Sequence, residues 1–380
     1  MKEVSKSWST RVWVGLGEAL LDESKRLLLL ARIGRWLRYA LRGLVGGYVL
    51  FLVGLWMGFR WLGEGNLTMA FLLYVPWLTW ALPLVPLLAL ALLMDWKSLV
   101  FGGLAGAVVM SGLAGWSWHR VVEVGKDRGR SLTVFSFNRG QSQGASQRPF
   151  IAQVKPDILV FQEARGRASQ FLQAEGYEAF KFGDSVGEYT LVSKFPVLST
   201  SLVVHEGHAV AGRFVIDWDG REVAVYSVHL RTPRDALLAM RRGAFLWGVL
   251  GVPGTKGGEK RRAYEEFWDR QVESAEVVVK ACREEKLPMV VAGDFNAPAP
   301  GYIHQLLTEE MIDTHEVAGW GGGYTFPGRT GNPLALRRPW LRIDKILCSE
   351  HWRPQWNMVE PEQPSQHRAL AAQLTWVDEG

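Results

Sequence analysis

The chain has 380 residues, with 43 Lys and Arg against 38 Asp and Glu, a net charge of +5 and two cysteines. Cys282 and Cys348 show no CxxC spacing, which excludes a zinc ribbon and a disulfide framework and leaves either one bridge or two small packing residues. The charge admits an anionic partner, but much of the excess falls in the first 42 residues, where anionic lipid explains it as well as nucleic acid does.

A mean hydropathy of +0.01 averages two unlike parts. Residues 1–42 form a basic amphipathic segment. Arg32, Arg35, Arg38 and Arg42 recur every three or four positions, on one helical face. Such a face suits an anionic leaflet, and a solvated charged helix is the alternative. Residues 43–118 then carry three apolar segments, over 43–59, 67–94 and 98–118. A transmembrane helix needs roughly 20 apolar residues, so the three read as spans. The first is short and relies on Arg42 and Arg60 reaching outward. Pro76, Pro83 and Pro86 predict a kink in the second. Tryptophans at the segment ends, among them Trp61, Trp96 and Trp118, fit an aromatic belt. A cleaved signal peptide would carry one short apolar stretch near the start, not three beginning after residue 42.

The basic start favours a cytoplasmic N-terminus, and three spans then place the rest on the non-cytoplasmic side. Lys97 agrees, whereas Arg120, Lys126, Arg128 and Arg130 pull the other way. The expectation is an integral protein of a bacterial-type inner or plasma membrane, with the lipid bilayer as partner and no obligate protein partner. Residues 119–130 read as a linker.

Residues 131–380 alternate short apolar strands with helices. Strands are predicted at 132–137, 158–161, 189–192, 213–218, 222–228, 288–292, 342–347 and 369–376. A long amphipathic helix is predicted over 261–285, and 251–258 reads as a flexible loop. Strands in quantity with helices between them imply an α/β sandwich.

The strand ends carry the chemistry. Gly293-Asp294-Phe295-Asn296-Ala297 follows an apolar strand and delivers an acid and an amide to its mouth, where a hard cation and a phosphate would be held. An ordinary turn is the bland alternative. Asn138, Glu163, His229, Asp344 and His367 likewise close apolar runs, where a side chain is held rigidly yet reaches solvent.

In their order, Asn138, Gln162-Glu163, Ser193-Lys194-Phe195-Pro196, Val228-His229-Leu230, Gly293-Asp294-Phe295-Asn296, Ile343-Asp344 and Ser365-Gln366-His367 resemble the endonuclease/exonuclease/phosphatase superfamily. The resemblance covers about 250 residues and leaves the apolar half outside. It implies a four-layer α/β sandwich, two central mixed sheets flanked by helices, here preceded by three transmembrane helices. It also implies hydrolysis of a phosphodiester, nucleic acid or phospholipid, with Mg²⁺ as cofactor and Mn²⁺ as the alternative. By the same resemblance Glu163 is the principal metal carboxylate, with Asn138 beside it. Asp294 would orient or deprotonate water, Asn296 hold a phosphate oxygen, and His367 donate to the phosphate with Asp344 fixing its ring. His229 would lie on the leaving-group side, with Glu188 as its carboxylate. The family usually has Asp before its last histidine. Here Gln366 stands there; it can ligate through its amide oxygen but brings no charge. That leaves one or two metals open, and with them a second reading, a nuclease-like domain that binds a partner without turnover.

Overall fold

The computed structural model describes residues 22–119, 130–140, 147–239, 256–328, 330–361 and 366–377. The 120–129 part of the linker, residues 251–255 of the expected loop, and Ser365 lie outside these.

Helices α1 (Glu23–Trp61), α2 (Leu67–Leu73), α3 (Leu78–Ala81), α4 (Leu84–Met94) and α5 (Trp96–Ala107) take up the apolar region, and α5 runs on as a π-helix over Val108–Leu113. The basic segment and the first apolar segment are thus one helix instead of two elements meeting at residue 42. The charge pattern changes there, but no proline interrupts 23–61. At 1.5 Å per residue the 39 residues of α1 run about 58 Å, well beyond the roughly 30 Å of a hydrocarbon core. The second segment is broken where Pro76 and Pro83 fall, and its two parts bend by 90°. Among the described residues, two helices are long and apolar enough to cross a membrane, or three if the bent pair is one span.

The chain divides into two compact units, residues 1–53 with 80–108, and residues 54–79 with 109–380. In the first, Leu41 and Val45 pack with Ala91, Leu87, Met94 and Leu99. Arg42 does not reach outward as expected. It donates from Nε and Nη2 to the two oxygens of Asp95, at 2.9 and 2.7 Å. Asp95 also caps α5, accepting from the Ser98 amide. Leu50, Leu92 and Leu93 are 74%, 73% and 81% exposed. Exposed leucines of this kind are compatible with an apolar surrounding.

The second unit holds the sandwich. Its strands are β1 (Ser117–Trp118), β2 (Ser131–Asn138), β3 (Ile158–Gln162), β4 (Phe182–Val186), β5 (Tyr189–Ser193), β6 (Val197–His205) and β7 (His208–Trp218). They continue with β8 (Arg221–His229), β9 (Met289–Asp294), β10 (Ile312–Asp313), β11 (Trp320–Gly321), β12 (Asp344–Cys348), β13 (Trp352–Val359) and β14 (Leu370–Trp376). Among its helices are α6 (Arg148–Val154), α7 (Ala168–Leu172), α8 (Arg234–Ala239), α9 (Lys256–Glu284) and α10 (Tyr302–Thr308). The expected loop therefore ends early, since residues 256–258 already belong to α9. Trp118 likewise leaves the third apolar segment to pair in β1 with Trp320 of β11.

Two six-stranded sheets run β10-β12-β9-β8-β7-β6 and β13-β14-β2-β3-β5-β4. Each is mixed: β8 pairs with β9, and β2 with β3, in parallel. The expected sandwich of two mixed sheets flanked by helices is the fold found. Alternation along each strand sorts its side chains. Leu132, Val134, Val225, Val290, Ala292 and Ile346 fill the space between the sheets. The opposite faces pack outward: Val291 and Leu347 with Val278 of α9, and Phe135 and Phe161 with Phe150 of α6. Cys282 and Cys348 are free, buried thiols, which settles the packing reading.

Candidate active site

Alternation also decides where the polar strand ends point. Asn138 continues the inward series of Leu132 and Val134, His229 that of Val223 and Val225, and Asp294 that of Val290 and Ala292. Asp344 precedes inward Ile346. All four therefore face the gap between the sheets at one end. The register brings them level: Asn138 lies beside Gln162, His229 beside Asp294, and Asp344 beside Asp294.

Asp294 is the point of convergence. Its Oδ2 accepts from Asn138 Nδ2 at 3.0 Å and from Asn296 Nδ2 at 3.2 Å. His367 Nε2 and His229 Nε2 stand 3.7 and 3.9 Å from the same oxygen. Oδ1 accepts from the Asn296 amide at 2.8 Å. Asn296 has φ of +47°, a left-handed conformation that Asn tolerates better than most residues. Its Nδ2 also donates to the Leu230 carbonyl at 2.9 Å. Asn296 therefore fixes Asp294 as well as bordering the cavity.

Each histidine is oriented through its other nitrogen. His367 Nδ1 lies 3.1 Å from Asp344 Oδ2, and His229 Nδ1 lies 2.7 Å from Glu188 Oε1. Glu188 thus stands where the resemblance put it. Burial works against the charged form of His367, but Asp344 and Asp294 outweigh it and push its pKa up to about 9. His229 is likewise raised, burial opposing and Glu188 and Asp294 prevailing. Burial pushes the Asp294 carboxyl up, Asp344 adds to this, and the two histidines pull it back.

Glu163 follows β3 with φ of +52°, strained for a residue with a Cβ. Its side chain is 37% exposed, with His229 Nε2 3.9 Å from Oε1. Among the described residues its carboxylate accepts no hydrogen bond. Asn138 Oδ1 accepts one, from the Gly140 amide at 2.8 Å. Glu163 and Asn138 border the same cavity, and oxygen donors of these kinds suit a hard divalent cation. Asp294, Asp344 and His367 also bring one donor atom each within 4.8 Å of the others. Gln366 stands apart: its Oε1 accepts from Arg234 Nη2 at 3.3 Å.

Asn138, Glu163, His229, Asp294, Asn296, Gln366 and His367 border one cavity of about 930 Å³, with Arg165, Arg231 and Arg234. Tyr74 borders it too, a residue that sequence reasoning left inside an apolar segment. Its hydroxyl donates to the Asn296 carbonyl at 2.5 Å. Phe326, also unforeseen, sets its ring 4.9 Å from that of His367.

Fold and site define a class, an α/β-sandwich phosphoester hydrolase with its polar groups gathered at one end of two facing sheets. The chain belongs to the endonuclease/exonuclease/phosphatase family, whose family model matches residues 136–367. No curated protein sequence matches the chain. A family protein from Bacteroides thetaiotaomicron is similar at 17% identity and TM-score 0.46, covering 66% of this chain and 100% of its own. A mannosyl-6-phosphatase from the same organism is similar at 17% identity and TM-score 0.44, covering 64% and 100%. D. rerio TDP2, humanized by 14 mutations, is similar at 14% identity and TM-score 0.44, covering 64% and 99%.

Proposed function

We propose that the chain is a membrane-anchored, Mg²⁺-dependent phosphodiesterase whose reacting groups are those gathered around Asp294. The convergence of Asn138, Asn296, His229 and His367 on one carboxylate oxygen carries this reading. Held by Glu163 and Asn138, with Gln366 as a further candidate ligand, Mg²⁺ or Mn²⁺ would polarise a phosphoryl oxygen. Asp294 orients the attacking water and takes its proton. Burial and Asp344 raise its proton affinity, and His367 and His229 pull it back. His367 donates from Nε2 to a phosphate oxygen, because Asp344 occupies Nδ1. Asn296 meets a second phosphate oxygen through the amide that now bonds Asp294. His229, fixed on Glu188, gives the departing oxygen its proton from Nε2.

The substrate class is a phosphodiester of nucleic acid or of a lipid headgroup, and Arg165, Arg231 and Arg234 supply cationic contacts for either. The domain scheme retained is a basic start, an apolar anchor, and a catalytic region on the non-cytoplasmic side of a bacterial-type inner or plasma membrane.

The purified full chain should hydrolyse bis(p-nitrophenyl) phosphate with Mg²⁺ and not with EDTA. Asp294→Ala and His367→Ala should each lower kcat on the order of 100-fold or more. Full activity in both variants would overturn the assignment. Metal binding by calorimetry without turnover would favour the binding-module reading that Gln366 motivates.

A further inference from the structure

The loop after β9 is held by residues from outside the family-matched region. Asn296 presents its carbonyl to the Tyr74 hydroxyl at 2.5 Å. Tyr74 is 7% exposed, and its own carbonyl accepts from Trp340 Nε1 at 3.0 Å. Its ring lies 5.7 Å from Trp268 of α9. The preceding turn is fixed in the same way: Phe71 of α2 is fully buried and meets Trp268 edge-on at 6.3 Å. Asn66 caps α2 from its other end, accepting from the Thr68 and Met69 amides. Five residues past Ala297 the loop passes into α10. There Glu64, fully buried, accepts from the Ile303 amide at 3.1 Å. Thus a stretch that composition assigns to an apolar segment braces the loop after β9 and brings Tyr74 to the edge of the cavity.

We propose that Tyr74 is a positioning residue for hydrolysis, holding Asn296 in its left-handed conformation through the Asn296 carbonyl so that Asp294 keeps its aim. The proposal rests on the reading of Asp294 and Asn296 as reacting groups. The chemistry is direct. Asn296 has its amide N–H and its Nδ2 both on Asp294, at 2.8 and 3.2 Å. The Asn296 carbonyl belongs to the following peptide unit, so the tyrosine hydroxyl on it holds ψ of Asn296 from one side of the Cα, while the amide N–H and the side chain are held on the other. Rotation about the Cα bonds would carry the Nδ2 donor off the carboxylate. Removing one partner of a buried hydrogen bond leaves the other unpaired, which costs more than the bond itself contributes. Tyr74 touches no reacting atom, so its loss should slow turnover without weakening substrate binding.

The test is Tyr74→Phe in the full chain, purified in detergent, with bis(p-nitrophenyl) phosphate and Mg²⁺. The ring and its packing on Trp268 remain, so folding is preserved. The expected result is a kcat about tenfold lower with KM within about twofold, together with faster amide hydrogen exchange over residues 293–301. A merely structural role would speed that exchange and leave kcat as in the wild type, and an unchanged kcat would overturn the proposal. Hydrogen exchange needs no turnover. A wild-type chain without hydrolysis therefore sinks the catalytic reading, while unchanged exchange in Tyr74→Phe sinks the positioning role by itself.

Discussion

At the scale of single residues the site is a problem in charge. Asp294 and Asp344 are 1% exposed and lie side by side across β9 and β12, an arrangement that costs free energy unless cations answer it. His367 is one such cation. In an unfolded chain its imidazole titrates near 6.5; folded, its pKa stands at about 9. Between these values the folded protein holds a proton that the unfolded chain has released. This contribution to stability is therefore full below pH 6.5 and lost as pH rises through 9. It amounts to on the order of 3 kcal/mol. Urea unfolding of the wild type and of His367→Gln, compared from about pH 6 to pH 10, should show the wild type losing this margin and the variant lacking that loss. Parallel curves would mean that the histidine is not held charged. The rate should fall over the same alkaline limb, because a neutral imidazole fixed on Asp344 no longer brings charge to the phosphate.

At the scale of elements, the fold works by register. Strands β8 and β9 run parallel with His229 opposite Asp294, and the junction beneath them is Gly293. Gly293 has φ of +149°, and a Cβ there would meet the Val228 carbonyl oxygen at 2.1 Å. No side chain can be added without parting the two strands that carry the acid and the histidine. Gly293→Ala should cost roughly 2–4 kcal/mol in chemical denaturation and lower kcat as well; a loss below about 0.5 kcal/mol would contradict this packing. The same strands show what a sequence reveals. Central strands β2, β3, β8, β9 and β12 are apolar runs buried on both faces, which is why they and their polar ends were legible. Within the two six-stranded sheets the strands passed over, β4, β6, β10 and β13, are the four outer ones, and the two-residue strands β1 and β11 were passed over as well. An edge strand is covered less and carries a weaker pattern: β6 is largely exposed along its length. Tyr74 was illegible for another reason. It sits inside an apolar run, where composition speaks for lipid and hides a residue committed to protein. Glu64 was the available signal, the sole carboxylate between residues 43 and 94. An acid placed among so many apolar residues is there for a partner, and its partner is the amide at the start of α10.

At the scale of the whole molecule, part of the apolar region and the sandwich are not separate along the chain. Residues 54–79 fall in the same compact unit as the sandwich. Material for membrane contact is nevertheless left over. Glu23–Trp61 and Trp96–Leu113 are long and apolar enough to cross a bilayer, and α1 exceeds the hydrocarbon thickness by enough to leave its arginine-bearing turns outside it. Leu50, Leu92 and Leu93 point away from protein at a cost that water would make large and lipid would remove. Arg42 and Asp95 are compatible with that surrounding because they satisfy each other bidentately. The full chain should therefore stay in the membrane pellet through an alkaline carbonate wash and leave it only with detergent. Replacing Leu50, Leu92 and Leu93 together by Lys should release it or abolish insertion, since a lysine at the centre of a span, as at Leu50, adds roughly 2.5–3.5 kcal/mol and those near an end add less. A reporter fused after Gly380 should read the non-cytoplasmic side where the bent pair Leu67–Leu73 and Leu78–Met94 supplies a third crossing, and the cytoplasmic side where only Glu23–Trp61 and Trp96–Leu113 cross. A wild-type chain recovered in the carbonate supernatant would mean that these leucines face protein instead, and that α1 and α5 are parts of a larger soluble assembly.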